Sequence, residues 1–125
     1  MNPRFWFVLG SLIAGLGVAA GAFGAHALRQ RLPTELLAIF ETGVRYQVYH
    51  ALGLLAVALA SDHWPSAGFN LAGWLFLVGI LLFSGSLYAL CLSGLRTLGA
   101  ITPLGGLCLL LAWATLAWSV WQNRS

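Results

Sequence analysis

Thr42-Gly43-Val44-Arg45-Tyr46-Gln47-Val48-Tyr49-His50-Ala51-Leu52 runs without a breaker into Gly53-Leu54-Leu55-Ala56-Val57-Ala58-Leu59-Ala60. An arginine, a glutamine, a histidine and two tyrosines therefore occupy the opening turns of an otherwise apolar helix. A charged side chain at the centre of a bilayer costs roughly 2.5 to 3.5 kcal/mol on insertion scales, so polar residues in such a segment read first as a functional site. The reading holds only if the segment lies in lipid, and the rest of the chain says that it does.

The sequence is 60% hydrophobic and 7% charged, with a mean hydropathy of +0.87. Soluble domains carry about 25% charged residues, so this composition belongs to the membrane class. The net charge of +3 comes from arginines standing singly at the ends of apolar runs, which argues against nucleic-acid binding and for a role in setting topology. Cys91 and Cys108 lie within apolar runs without metal-ligand spacing, so they read as buried, inert thiols.

Residues 5–28 form a first run, about 24 residues and long enough to cross a hydrocarbon core of about 30 Å. Arg4, the apolar stretch and Ala25-His26-Ala27 also have the layout of a secretory signal, but the run is longer than a signal's apolar region and reads as a retained helix. Within it, Gly17-x-x-x-Gly21-x-x-x-Ala25, with Gly24 offset, makes a flat face for close helix packing, either within the monomer or across a dimer. After the loop Arg29-Gln30-Arg31-Leu32-Pro33, Thr34 is placed to cap a short amphipathic helix over residues 34–42. That helix would lie at the headgroups, with Gly43 as a hinge or with the helix continuing unbroken. Further spans follow over residues 44–61, 70–92 and 100–121. Loops this short make neighbours antiparallel. The expectation is an all-α, integral membrane, up-down-up-down four-helix bundle, a single domain over residues 1–125, with a short interfacial helix before the second span. Loops one and three hold Arg29, Arg31 and Arg96, with Arg45 at the membrane edge. The other side holds Arg4 and Arg124, partly offset by Asp62. The bias puts loops one and three in the cytoplasm of an inner-membrane protein and both termini outside.

Folding the spans this way sorts residues by depth. Trp6, Trp64, Trp74, Trp118 and Trp121 fall at the terminal side, as an aromatic belt would. The loop-one side collects His26, Arg45, Tyr46, Gln47, Tyr49, His50, Ser84, Ser86, Tyr88 and Thr102, drawn from all four spans. Tyr46 and His50 share one helix face at i, i+4, as do Arg45 and Tyr49, and Glu41 is placed to pair with Arg45. Thr102-Pro103 suits a helix start, with Thr102 as cap, and Gly105-Gly106 permits close approach of a backbone or a ligand. Each of these residues also has a bland reading: serines bonding their own helix, a snorkelling arginine, structural histidines. His26 and His50 on adjacent helices raise haem ligation as a lesser alternative; no other metal and no cofactor is expected.

Four stretches, Gly21-Ala22-Phe23-Gly24-Ala25-His26-Ala27-Leu28, Thr42 to Leu52 as quoted, Phe83-Ser84-Gly85-Ser86-Leu87-Tyr88 and Leu98-Gly99-Ala100-Ile101-Thr102-Pro103-Leu104-Gly105-Gly106, together resemble a widespread family of small inner-membrane proteins of unknown function. That family includes the bacterial YgdD-like proteins and the eukaryotic transmembrane protein 256. The resemblance implies four membrane helices and supplies no catalytic residues, so the expectation leans away from an enzyme. Small multidrug transporters are a poorer match, because residues 5–28 contain no acid. The sequence thus points to a lipid- or amphiphile-binding or accessory membrane protein with a pocket in the cytoplasmic leaflet lined by His26, Arg45, Tyr46, His50, Ser84 and Tyr88. The main alternative is a small subunit or assembly factor of a larger complex docking through the glycine face, and a homo-oligomer is a further alternative.

Overall fold

The computed structural model describes residues 2–123, and it is all helix and loop among them. Helix α1 spans Pro3–Phe23, with the Asn2 side chain accepting from the Arg4 amide at 2.9 Å and Pro3 in the first turn, where no amide is needed. A π-helical turn, Gly24–Leu28, extends it. Helix α2 is Thr34–His63, α3 is Gly68–Ser93 and α4 is Thr102–Trp121. Gly94 ends α3 in the left-handed region at φ 75°, where glycine pays no steric penalty, and returns its amide to the Leu90 carbonyl. A 3-10 turn, Arg96–Ala100, leads into α4.

Three of these helical stretches, Pro3–Leu28, Gly68–Ser93 and Arg96–Trp121, are long and apolar enough to cross a membrane. Helix α2 carries more polar residues but packs along both α1 and α3, so it crosses with them. The protein is an all-α, four-helix membrane bundle. Helices α2 and α3 form the central pair, α1 flanks α2, α4 flanks α3, and α2 meets α4 only sparsely. At 30 residues α2 is about 45 Å long, more than the hydrocarbon core needs. Its first part is the expected interfacial helix, with Glu35 and Glu41 exposed and Phe40 buried against Leu28 and Cys91. This short helix runs into the second span without a break.

Gly43 is therefore not a hinge. It is helical, and its missing side chain makes room for a neighbour: a Cβ there would lie 2.9 Å from Cε1 of Tyr88. Thr34 and Thr102 are first helical residues and not caps; the cap positions are Pro33 and Ile101, neither with a side-chain bond. Trp6 is not a belt residue. It is fully buried over Gly73, with its indole N–H donating to Asn70 Oδ1 at 3.1 Å and its ring edge-on to Trp74 at 5.2 Å. An indole needs a partner when buried, and Asn70 supplies it. Trp6 thereby ties α1 to α3 at the terminal end, within a core that includes Leu54, Val57, Phe69, Phe76 and Leu109. Arg124, counted above for orientation, lies outside the described residues.

The glycine face of α1 is occupied within the chain. A Cβ on Gly17 would sit 2.6 Å from Val48, on Gly24 2.8 Å from Phe40 and on Gly10 2.9 Å from the Ala51 carbonyl. The seam thus follows Gly10, Gly17 and Gly24, with Gly21 at its edge in ordinary contact with Val44 and Ala25 exposed. Gly105 does the same for α4, where a side chain would meet the backbone of Phe83.

Candidate functional site

The polar residues of the loop-one half fall into three groups. The first is a set of satisfied cross-links between helices. Tyr88 Oη donates to Gln47 Oε1 at 2.5 Å, and Gln47 Nε2 donates to the Ile13 carbonyl at 2.9 Å, joining α3, α2 and α1. Ser84, 1% exposed, donates to the Gly43 carbonyl at 2.6 Å. Ser86 bonds its own Phe83 carbonyl and also shares a 2.6 Å hydrogen bond with Thr102, tying α3 to α4. Without a hydrophobic force between helices in lipid, such bonds and close packing carry the association. These side chains hold the bundle together, and their polar atoms are used in doing so.

The second group faces outward. Arg45 is exposed and lies beside Gly21, Phe40, Glu41 and Val44 in a shallow recess on the α1 flank. It makes no ion pair with Glu41; the salt bridge among the described residues is Arg96 to Glu35, 3.0 Å and largely exposed, between loop three and the interfacial helix. Tyr49 is 53% exposed on the same outer side. His26 is exposed on the π turn of α1.

The third group is Tyr46 and His50, which line a groove of about 500 Å³ between α2 and α4. Its other walls are Pro103, Gly106, Leu107, Leu109, Leu110 and Trp113. The groove exists because α2 and α4 are both packed on α3 and scarcely on each other. Tyr46 stacks on Phe83 of α3 with ring centroids 4.5 Å apart. His50 lies 5.9 Å from Trp113 and 6.0 Å from Phe76, and those two rings meet edge-on at 4.8 Å. Gly106 forms part of the wall, and a Cβ there would only touch Phe83 at 3.8 Å. Of the residues gathered from the sequence, the groove takes Tyr46 and His50, which share a face at i, i+4, whereas His26, Arg45, Tyr49, Ser84 and Tyr88 are not among its lining. Trp113, Phe76 and the α4 leucines were not anticipated; the signal for Trp113 was its position in the middle of a span, away from the other tryptophans.

His50 is 7% exposed, and its Nδ1 lies 2.7 Å from the Tyr46 carbonyl. A carbonyl can only accept, so Nδ1 carries the proton, and in the neutral ring Nε2 has a lone pair to offer. No group among the described residues takes it. Fully buried side-chain nitrogens and oxygens among those residues all have partners, so Nε2 belongs to the ring's small remaining exposure. His26 sits on α1, the flank of α2 away from α4, so the two imidazoles do not meet. No group of three or more His, Cys, Asp or Glu suited to a metal occurs among the described residues, and both cysteines are free.

Residues 20–106 match the family model described as "Protein of unknown function (DUF423)". The matched segment contains all four motifs quoted above. Of the groove it includes Tyr46, His50, Pro103 and Gly106; Leu107 to Trp113 lie beyond it. The chain is 47% identical over 111 residues to the UPF0382 membrane protein YwdK of Bacillus subtilis, covering 88% of this chain and 90% of the relative. It is 46% identical over 113 residues to a UPF0382 membrane protein of Staphylococcus epidermidis, with 90% and 92% covered. Its identity to the UPF0382 membrane protein SH2409 of Staphylococcus haemolyticus is 42% over 119 residues, with 95% and 97% covered. No solved structure matches the chain.

Proposed function

Given that the chain belongs to the DUF423 family of proteins of unknown function, and is a small multi-pass membrane protein, we propose that it is a non-enzymatic binding or accessory protein that holds a membrane amphiphile in the α2–α4 groove. The supporting observation is the groove itself. It is about 500 Å³, within the range of small-molecule sites, mostly apolar, and contains one buried histidine with an unused acceptor. Opening on the lipid-facing side of a bundle, it is filled by whatever the bilayer offers. The location in the cytoplasmic (inner) membrane, with loops one and three inside, and the closer kinship to YgdD-like proteins and transmembrane protein 256 belong to the same proposal. They rest on the arginine distribution and the four motifs.

The test is lipid mass spectrometry of protein purified in mild detergent. Gly106→Leu places a side chain in the groove, and a co-purifying species present with the original protein is then lost. Arg45→Gln, outside the groove, leaves it in place. Identical lipid content in the Gly106→Leu protein and the original overturns the reading. The alternative, docking into a larger membrane complex through Gly17 and Gly21, would have to displace α2, which already covers that seam. A subunit role would therefore use an outer face. Bis-histidine haem ligation draws no support from an exposed His26 on the far flank.

A further inference from the structure

The acceptor is unusually deep. Helix α4 starts at Thr102 on the loop-one side, and Trp113 lies eleven residues on, about 16 Å along the axis and close to half of a 30 Å hydrocarbon core. His50 is beside Trp113, so its ring is near the middle of the membrane, at the inner end of a groove that runs about 15 Å from Pro103. A phospholipid headgroup stays at the interface and does not reach this level. The one guanidinium of the second span, Arg45, lies outside the groove, whose lining holds no arginine or lysine to balance an anion.

Hydrogen-bond polarity narrows the choice further. In a neutral ring Nδ1–H is committed to the Tyr46 carbonyl, and Nε2 can only accept. Esters, ethers, phosphates and quinone carbonyls are themselves only acceptors and would leave it unmatched, whereas a hydroxyl would donate to it. Trp113 lies at the inner end beside His50 and Tyr46 stands one turn nearer the mouth, aromatic walls that favour a ring, and Leu107 and Leu110 add apolar wall for an alkyl tail.

We infer that the groove takes an uncharged, hydroxyl-bearing aromatic amphiphile, a quinol headgroup with its tail, whose hydroxyl donates to Nε2 of His50. This inference rests on the groove being a lipid site, as proposed above, and adds which chemistry it selects. It requires no electron transfer; the site distinguishes the reduced from the oxidised ring by which partner holds the proton.

The experiment measures partition of three probes between nanodiscs containing the protein and empty nanodiscs under argon. The probes are a decyl-substituted benzohydroquinone, its benzoquinone and the hydroquinone's dimethyl ether. The hydroquinone should be retained about tenfold better than either of the others, in line with one interhelical-strength hydrogen bond in lipid. The His50→Leu protein should lose that preference. In 15N-histidine-labelled protein the Nε2 resonance assigned to His50 should shift with the hydroquinone and not with the ether. Equal retention of all three, or a preference that survives His50→Leu, overturns the inference even if Gly106→Leu abolishes binding, in which case the groove remains a lipid site without hydroxyl selection. If no probe is retained and Gly106→Leu leaves native lipid content unchanged, both readings fall.

Discussion

Gln47 spends both ends of its carboxamide on other helices, accepting from Tyr88 of α3 and donating to the Ile13 carbonyl of α1. In lipid an unpaired amide finds no water, so each partner depends on the other. A double-mutant cycle on Gln47→Leu and Tyr88→Phe should give a coupling of about 0.5 to 1.5 kcal/mol, within the range measured for interhelical bonds in membranes. The readout is the denaturation midpoint in mixed micelles, and strictly additive effects would mean that the 2.5 Å contact contributes nothing. At this scale the sequence was partly legible. Polar atoms inside an apolar helix stand out, so Gln47, His50, Ser84 and Tyr88 were all visible, and the i, i+4 rule paired Tyr46 with His50 and Arg45 with Tyr49 without saying which pair borders a groove. What could not be read was which polar atoms were already used. Ser84 reaches Gly43 across 41 positions, and local periodicity contains no such pairing. Phe76 was missed for the opposite reason, since a phenyl ring in an apolar span has no contrast, and Trp113 stood apart only by its mid-span position.

Between α1 and α2 the determinant is repeat length. Gly10, Gly17 and Gly24 recur every seven residues, the period that keeps one seam facing a partner when helices wind left-handedly. The four-residue stripe Gly17, Gly21, Ala25 identifies the same face but drifts around the helix, which is why Ala25 ends up exposed. Gly17→Leu should therefore destabilise the isolated chain by about 1 to 3 kcal/mol, as overpacking does, because Val48 occupies the space. Gly15→Leu, where no atom lies within 4 Å, should be close to neutral. Thermal unfolding of the two variants side by side distinguishes them, and equal losses would place the packing face elsewhere. The same logic explains Gly43 in α2. A glycine after an amphipathic segment suggests a bend, yet here it is required by Tyr88, and the helix runs straight through. Glycine in a membrane helix marks close approach as readily as flexibility, and sequence alone does not say which.

The four elements are held as a row folded about its centre, α1 on α2, α2 on α3, α3 on α4, and this order leaves α2 and α4 apart with the groove between them. Up-down alternation follows from the short loops, so the number of helices and their directions were legible throughout; the gap between α2 and α4 was not, because it depends on which glycines face which neighbour. Alternation also makes orientation a single binary choice for the whole molecule. Loops one and three must share a side, and their Arg29, Arg31 and Arg96 outweigh Arg4 and Arg124 on the other. The exposed Arg96–Glu35 pair does not cancel this, since acidic residues contribute little to the topology rule. With Cys91 and Cys108 replaced by alanine, a cysteine introduced by Ser66→Cys in loop two should react with a membrane-impermeant maleimide in intact cells, whereas one introduced by Gln30→Cys in loop one should react only after permeabilisation. The reverse pattern would put the mouth of the groove in the outer leaflet. Because Pro103 and Tyr46 lie toward loops one and three, this one experiment decides from which leaflet the amphiphile enters.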